Sequence, residues 1–135
     1  MTAWFVDSNV FLRFLTVDDR GQHQKAVRLF EAARNGECRL VTGPPVFFEL
    51  AWTLRAAYKT PKDKVLEILS AVFATLGMTL TDAPLVADAL SLAAATGSEF
   101  ADAYLAASSR AAECSGVATF NRKDFVKLGI ELAEL

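Results

Sequence analysis

Apolar runs of three or four residues, each bounded by turn or cap residues, alternate along this chain with longer stretches patterned for helices. Ala3-Trp4-Phe5-Val6 runs into Asp7-Ser8-Asn9, and Leu40-Val41-Thr42 is stopped by Gly43-Pro44-Pro45. Met78-Thr79-Leu80 follows Gly77, and Val117-Ala118-Thr119 follows Gly116. Between them, Gln22 to Arg34 carries Ala26, Val27, Leu29, Phe30 and Ala33 at helical spacing, and Pro61 to Leu76 carries Val65, Leu66, Ile68, Leu69, Val72 and Phe73. Further helices are expected over Val10 to Leu15, Pro45 to Tyr58, Ala83 to Ala95 and Phe100 to Cys114, with a helical turn at Phe125 to Leu128 and an edge strand at Ile130 to Leu132. Short apolar strands separated by helices pair in parallel and are covered on both faces. The expected fold is therefore α/β: a three-layer sandwich with a central, mainly parallel sheet of four to five strands flanked by helices.

At 135 residues the chain suits one domain, residues 1–135, with a full hydrophobic core. A net charge of −2 excludes a wholly basic nucleic-acid coat, although a local basic rim still suffices to steer RNA. Cys38 and Cys114 show neither C-x-x-C nor zinc spacing and read as two reduced, buried thiols. The longest uncharged stretch, Ile68 to Thr81, falls short of the roughly 20 residues a bilayer requires, and Asp7 interrupts the leading apolar run too early for a signal peptide. These features point to a cytoplasmic protein without membrane attachment.

Four acids stand out by context. Asp7 directly follows the first strand, where capping a helix is its ordinary role. Glu49 sits in Val46-Phe47-Phe48-Glu49-Leu50-Ala51-Trp52, with only apolar neighbours within three residues. A helix apolar nearly all round is largely buried, and a buried carboxylate needs a partner, for which Arg55 is the nearest base. Asp102 repeats the pattern in Phe100-Ala101-Asp102-Ala103-Tyr104-Leu105, where placement in a first helical turn is the plainer explanation. Asp124 follows the fourth expected strand in Thr119-Phe120-Asn121-Arg122-Lys123-Asp124, again as a possible helix cap.

In open α/β sheets ligands bind beyond the carboxyl ends of the strands, and all four acids can reach that edge. Two carboxylates about 4 Å apart repel by ~4 kcal/mol near a protein surface, so a cluster persists when a cation or shared proton neutralises it. All-oxygen ligation suits Mg²⁺ or Mn²⁺, and the chemistry such ions support at a phosphate is phosphodiester hydrolysis.

Taken together in order, Phe-Val-Asp7-Ser-Asn9-Val, Glu49 after Gly-Pro-Pro, Phe-Ala-Asp102-Ala-Tyr-Leu-Ala-Ala and Thr119-Phe-Asn121-Arg-Lys-Asp124-Phe resemble the motifs of PIN domains, with the closest similarity to VapC-like toxins. The resemblance spans essentially the whole chain and implies a single PIN domain acting as a metal-dependent endoribonuclease, the toxin of a toxin–antitoxin pair. It matches Asp7, Glu49 and Asp102 to the family's first three metal-site acids. Many relatives carry an Asp where this chain has Asn121, so Asp124 is expected to complete the site, with Asn121 supporting it by hydrogen bonding. The resemblance also implies Mg²⁺ or Mn²⁺ as cofactor, RNA as substrate, a homodimer and a small antitoxin protein as partner. A non-toxin PIN nuclease and a non-catalytic PIN-like binding module are the alternatives.

Ser8, Asn9 and Thr119 are candidates for supporting groups, and equally for turn and cap formers. Arg13, Arg122 and Lys123 are candidates for contact with RNA phosphate, and equally for solvated charges. Glu99, one turn before Asp102, reads as a cap. Trp4, Trp52 and Tyr104 read as core, and the single His23 cannot build a zinc site. A phosphohydrolase with Asp7 as covalent nucleophile would require a second Asp where Asn9 stands.

Overall fold

The computed structural model describes all residues, Met1–Leu135. Three strands form its sheet in the order β1 (Ala3–Phe5), β2 (Arg39–Thr42) and β3 (Met78–Leu80). Both pairings are parallel: Trp4 lies opposite Leu40, and Val41 opposite Thr79. Between and after the strands come α1 (Ser8–Leu15), α2 (Arg20–Arg34), α3 (Pro44–Ala56), α4 (Lys62–Phe73), α5 (Ala83–Thr96), α6 (Phe100–Ala111) and the short α7 (Arg122–Val126). A parallel sheet flanked by helices is thus present. No helix is long and apolar enough to cross a membrane.

Local chemistry sets the ends of these elements. Asp19 caps α2 by accepting from the Gln22 amide at 3.0 Å. Pro44 and Pro45 open α3, where their missing amide donors are not needed. Gly97 closes α5 in the left-handed conformation, at φ 70°. The main core joins Val6, Leu40, Phe47, Leu50, Leu69, Val86 and Phe100, so strands and five of the helices share one interior. A smaller cluster of Ala93, Ala103, Ala106, Phe125 and Leu128 fastens α7 to α5 and α6.

The sheet is narrower than the sequence suggests. Val117 to Thr119 does not join it as a fourth strand, nor does Ile130 to Leu132 join as a fifth; the two segments meet each other instead, in a single parallel bridge between Val117 and Leu132. The bridge is made by the Val117 amide donating to Glu131 O at 2.9 Å and the Ala133 amide donating to Val117 O at 3.0 Å. Ser109 Oγ holds Gly116 O at 2.9 Å, tying the start of this segment to the end of α6. A side chain at Gly116 would collide with the Glu131 carbonyl, so glycine is what permits the approach. Local tethers at both ends therefore outcompete pairing with a distant strand.

With no neighbour on its free edge, β1 leaves Trp4 and Phe5 exposed, against the expectation that Trp4 is core. Trp52 is also exposed, whereas Tyr104 is buried as expected. Both cysteines are free thiols; Cys38 is buried but Cys114, past the end of α6, is exposed.

Candidate active site

Asp7 is the N-cap of α1: its Oδ1 accepts from the Ser8 amide at 2.8 Å, and its Oδ2 accepts from Asn9 Nδ2 at 3.3 Å. Ser8 itself is buried, and its hydroxyl crosses to α3 to donate to Glu49 Oε1 at 2.5 Å. The first two acids are thereby joined through one serine, and Asn9 supports Asp7 as a neighbour of the site should.

Glu49 is exposed, not buried. The core side of α3 is supplied by Val46, Phe47, Leu50 and Leu54, which leaves Pro45, Glu49, Trp52 and Ala56 on the outer side. The expected partner of Glu49 is also different. Arg55 pairs with Glu99, its Nη2 lying 2.8 Å from Oε1, and its Nη1 donates to Thr60 O at 3.1 Å. Glu99 is the N-cap residue of α6 by position, but its side chain makes no capping bond and serves this ion pair.

Asp102 lies in the first turn of α6, half-buried, and shares one cleft with Glu49, Arg55 and Glu99. The cleft encloses about 840 Å³, within the range of ligand sites, and Pro45, Phe48, Ala51 and Trp52 form its carbon wall. Burial pushes the Asp102 carboxyl above the usual carboxylate range, and the negative charges of Asp124 and then Glu99 push it further, while Lys127 pulls it back. Asp124 is thus close enough to press on Asp102. Its Oδ2 accepts from Asn121 Nδ2 at 2.8 Å, the supporting bond expected of Asn121. Thr119 Oγ1 in turn accepts from the Asn121 amide at 3.0 Å, which orients the turn into α7.

The acids form a relay from α1 through α3 and α6 to α7, but no three acidic, histidine or cysteine side chains are grouped closely enough to hold one ion. The donors fit a hard divalent cation in kind, being carboxylate oxygens. The uncompensated repulsion at Asp102 marks where positive charge is wanted.

The basic candidates divide. Arg13 Nε donates to Gln22 Oε1 at 2.7 Å and its carbonyl meets His23 Nδ1 at 2.8 Å, so it fastens α1 to α2. Arg122 Nη1 donates to Ala133 O at 2.8 Å, clasping the C-terminal segment. Lys123 is exposed. Three site features escaped the sequence reading: the Ser8 bridge, the Arg55–Glu99 pair and Lys127 beside Asp102. Only Ser8 carried a signal, its place next to a strand-end Asp.

A parallel sheet, flanking helices and an acid-lined cleft define an α/β protein of nuclease type. The chain belongs to the PIN domain family, whose model matches residues 4–131. PIN domains are generally nucleases, that is, hydrolases, and typically use divalent metals. A comparison with curated proteins finds no match.

Proposed function

We propose that this chain is a metal-dependent endoribonuclease that hydrolyses RNA phosphodiester bonds, and that it serves as the toxin of a toxin–antitoxin pair. The observation that carries the nuclease reading is the meeting of Glu49 and Asp102, acids from different helices, on one cleft, with Asp7 bound to Glu49 through Ser8 and Asp124 pressing on Asp102. The toxin role rests on the similarity of the motifs to VapC-like proteins alone, as do the antitoxin partner, the homodimer and the cytoplasmic location.

Asp7, Glu49, Asp102 and Asp124 would hold Mg²⁺ or Mn²⁺. Such an ion, when bound, lowers the pKa of its water and stabilises charge building on the phosphate. The residues do the positioning. Ser8 holds the Glu49 carboxylate in place, Asn9 steadies Asp7, and Asn121 steadies Asp124. Arg55 neutralises Glu99, which limits the negative charge an incoming phosphate meets.

Purified protein incubated with single-stranded RNA and Mn²⁺ or Mg²⁺ is expected to cut it, and Asp7→Asn to lose that activity at least about 100-fold, as expected when a charge-stabilising group is removed. Equal cleavage by both proteins would overturn the reading. A second reading, a non-catalytic PIN-like binding module, is favoured by the absence of three grouped acids and by Asn121 standing where many relatives carry Asp. Calorimetry separates the two: heat of Mn²⁺ binding that disappears in Asp7→Asn supports the nuclease, and no heat supports the module.

A further inference from the structure

We propose that the outer side of α3 is a nucleobase platform, on which Trp52 stacks an unpaired base of a single-stranded polynucleotide while the strand's phosphate lies toward Glu49 and Asp102. The inference rests on the nuclease reading for the placement of the phosphate. Its own basis is an exposed indole in an acid-lined cleft.

Trp52 is 71% exposed, more than any other aromatic except Phe120, although it sits mid-helix among apolar residues. Its neighbours on the same outer stripe are Pro45, Glu49 and Ala56, and all four line the cleft that Asp102 also lines. The cleft has two ends of different chemistry: carboxylates at one, carbon at the other. A ligand that matches both must carry anionic oxygens able to share a cation with the acids, next to a flat apolar face. A nucleotide carries the two together.

The spacing agrees. Glu49 and Trp52 are separated by three residues of helix, about 4.5 Å along its axis. That is close to the ~3.4 Å between successive phosphates along a strand, so a base adjacent to a phosphate at Glu49 meets the indole. Arg55, one turn further, is clamped by Glu99 and Thr60 O and does not swing across the indole face. Every base has a π-face, so stacking here discriminates single strands from duplexes without reading sequence.

The test uses Trp4→Phe protein, which leaves Trp52 as the sole fluorophore of its kind among the two tryptophans. It is titrated in Mg²⁺ with a short deoxyadenylate strand, an abasic strand of equal length, and the adenylate annealed to its complement. Saturable quenching by the single strand alone is expected. Trp52→Ala should weaken single-strand binding by about 5- to 150-fold and raise KM for RNA, and Trp52→Phe should keep most of the affinity.

Unchanged fluorescence, equal binding of abasic and adenylate strands, or Trp52→Ala binding like wild type would each overturn the platform. So would a wild-type dimer that Trp52→Ala converts to monomer, which would mean that a second copy covers the stripe. Quenching without cleavage would sink the nuclease reading and leave the platform standing. Cleavage with KM unmoved in Trp52→Ala would do the reverse.

Discussion

Ser8 Oγ donates to Glu49 Oε1 at 2.5 Å, joining the first turn of α1 to the middle of α3. A hydrogen bond to a charged group contributes about 1.5–3 kcal/mol when fully buried. Glu49 is exposed and regains water when released, so Ser8→Ala should cost only about 1 kcal/mol in urea unfolding. RNA cleavage should fall much further, because Glu49 loses its fixed position. A stability loss accompanied by full activity would show that the bridge is merely structural.

Gly43 lies between β2 and α3, and a Cβ there would stand 2.0 Å from Thr81 Oγ1. Its backbone is extended, with φ −172°, so space and not conformation demands glycine. Gly43→Ala should destabilise by about 1–3 kcal/mol, the usual cost of overpacking. Thr81→Ala in the same chain removes the colliding oxygen and should restore most of the loss. Chemical denaturation of the two variants decides it, since an undiminished cost in the double variant would place the strain elsewhere.

Asp102 makes stability depend on pH in an unusual direction. Its folded pKa is raised by burial, by Asp124 and by Glu99, so the folded state binds the proton more tightly than the unfolded chain does. Metal-free protein therefore loses stability as pH rises from the ordinary value of 3.8 through the raised folded pKa, and the penalty stays constant above it. Asp102→Asn should accordingly be more stable than wild type at neutral pH in EDTA, with the gap closing as pH falls toward 4. A gap of the same size at both pH values would refute this account.

Adding the cation should reverse that order. An ion that binds only the folded state, present at 100 times its Kd, raises unfolding free energy by about 2.7 kcal/mol. Wild type should gain stability in Mn²⁺, while Asp7→Asn and Asp102→Asn gain less. Thermal denaturation with and without Mn²⁺ measures this directly, and a wild-type midpoint that does not move would count against any metal site.

Much of the fold was legible in local pattern. The three paired strands and six of the seven helices fall within a few residues of the apolar runs and stripes, because those elements are decided by nearest-neighbour chemistry: Asp7 and Asp19 as caps, Pro44 and Pro45 at a helix start, Gly97 at a helix end. Val117 to Thr119 has the composition of a strand, but its partner is chosen by the Ser109 tether and the close approach at Gly116, which no periodicity records. The site shows the same division. Asn121 was expected to hold Asp124 and does, since the two share one turn. Arg55 was expected at Glu49 and instead holds Glu99, because the angle between α3 and α6 is a tertiary matter. The apolar neighbours of Glu49 suggested burial, yet Trp52 faces outward beside it; composition alone does not separate a core indole from one that lines a cleft.

α6 has a foot in both hydrophobic clusters: Phe100, Tyr104 and Ala107 belong to the large one, Ala103 and Ala106 to the small one that anchors Phe125. Asp7 and Glu49 are mounted on the large cluster's helices, whereas Asp124 rides on the small one. The alignment of the acids is consequently only as durable as the weaker mounting. On warming, α7 should come adrift while the remaining helices still hold, so that heat silences the molecule before it melts it.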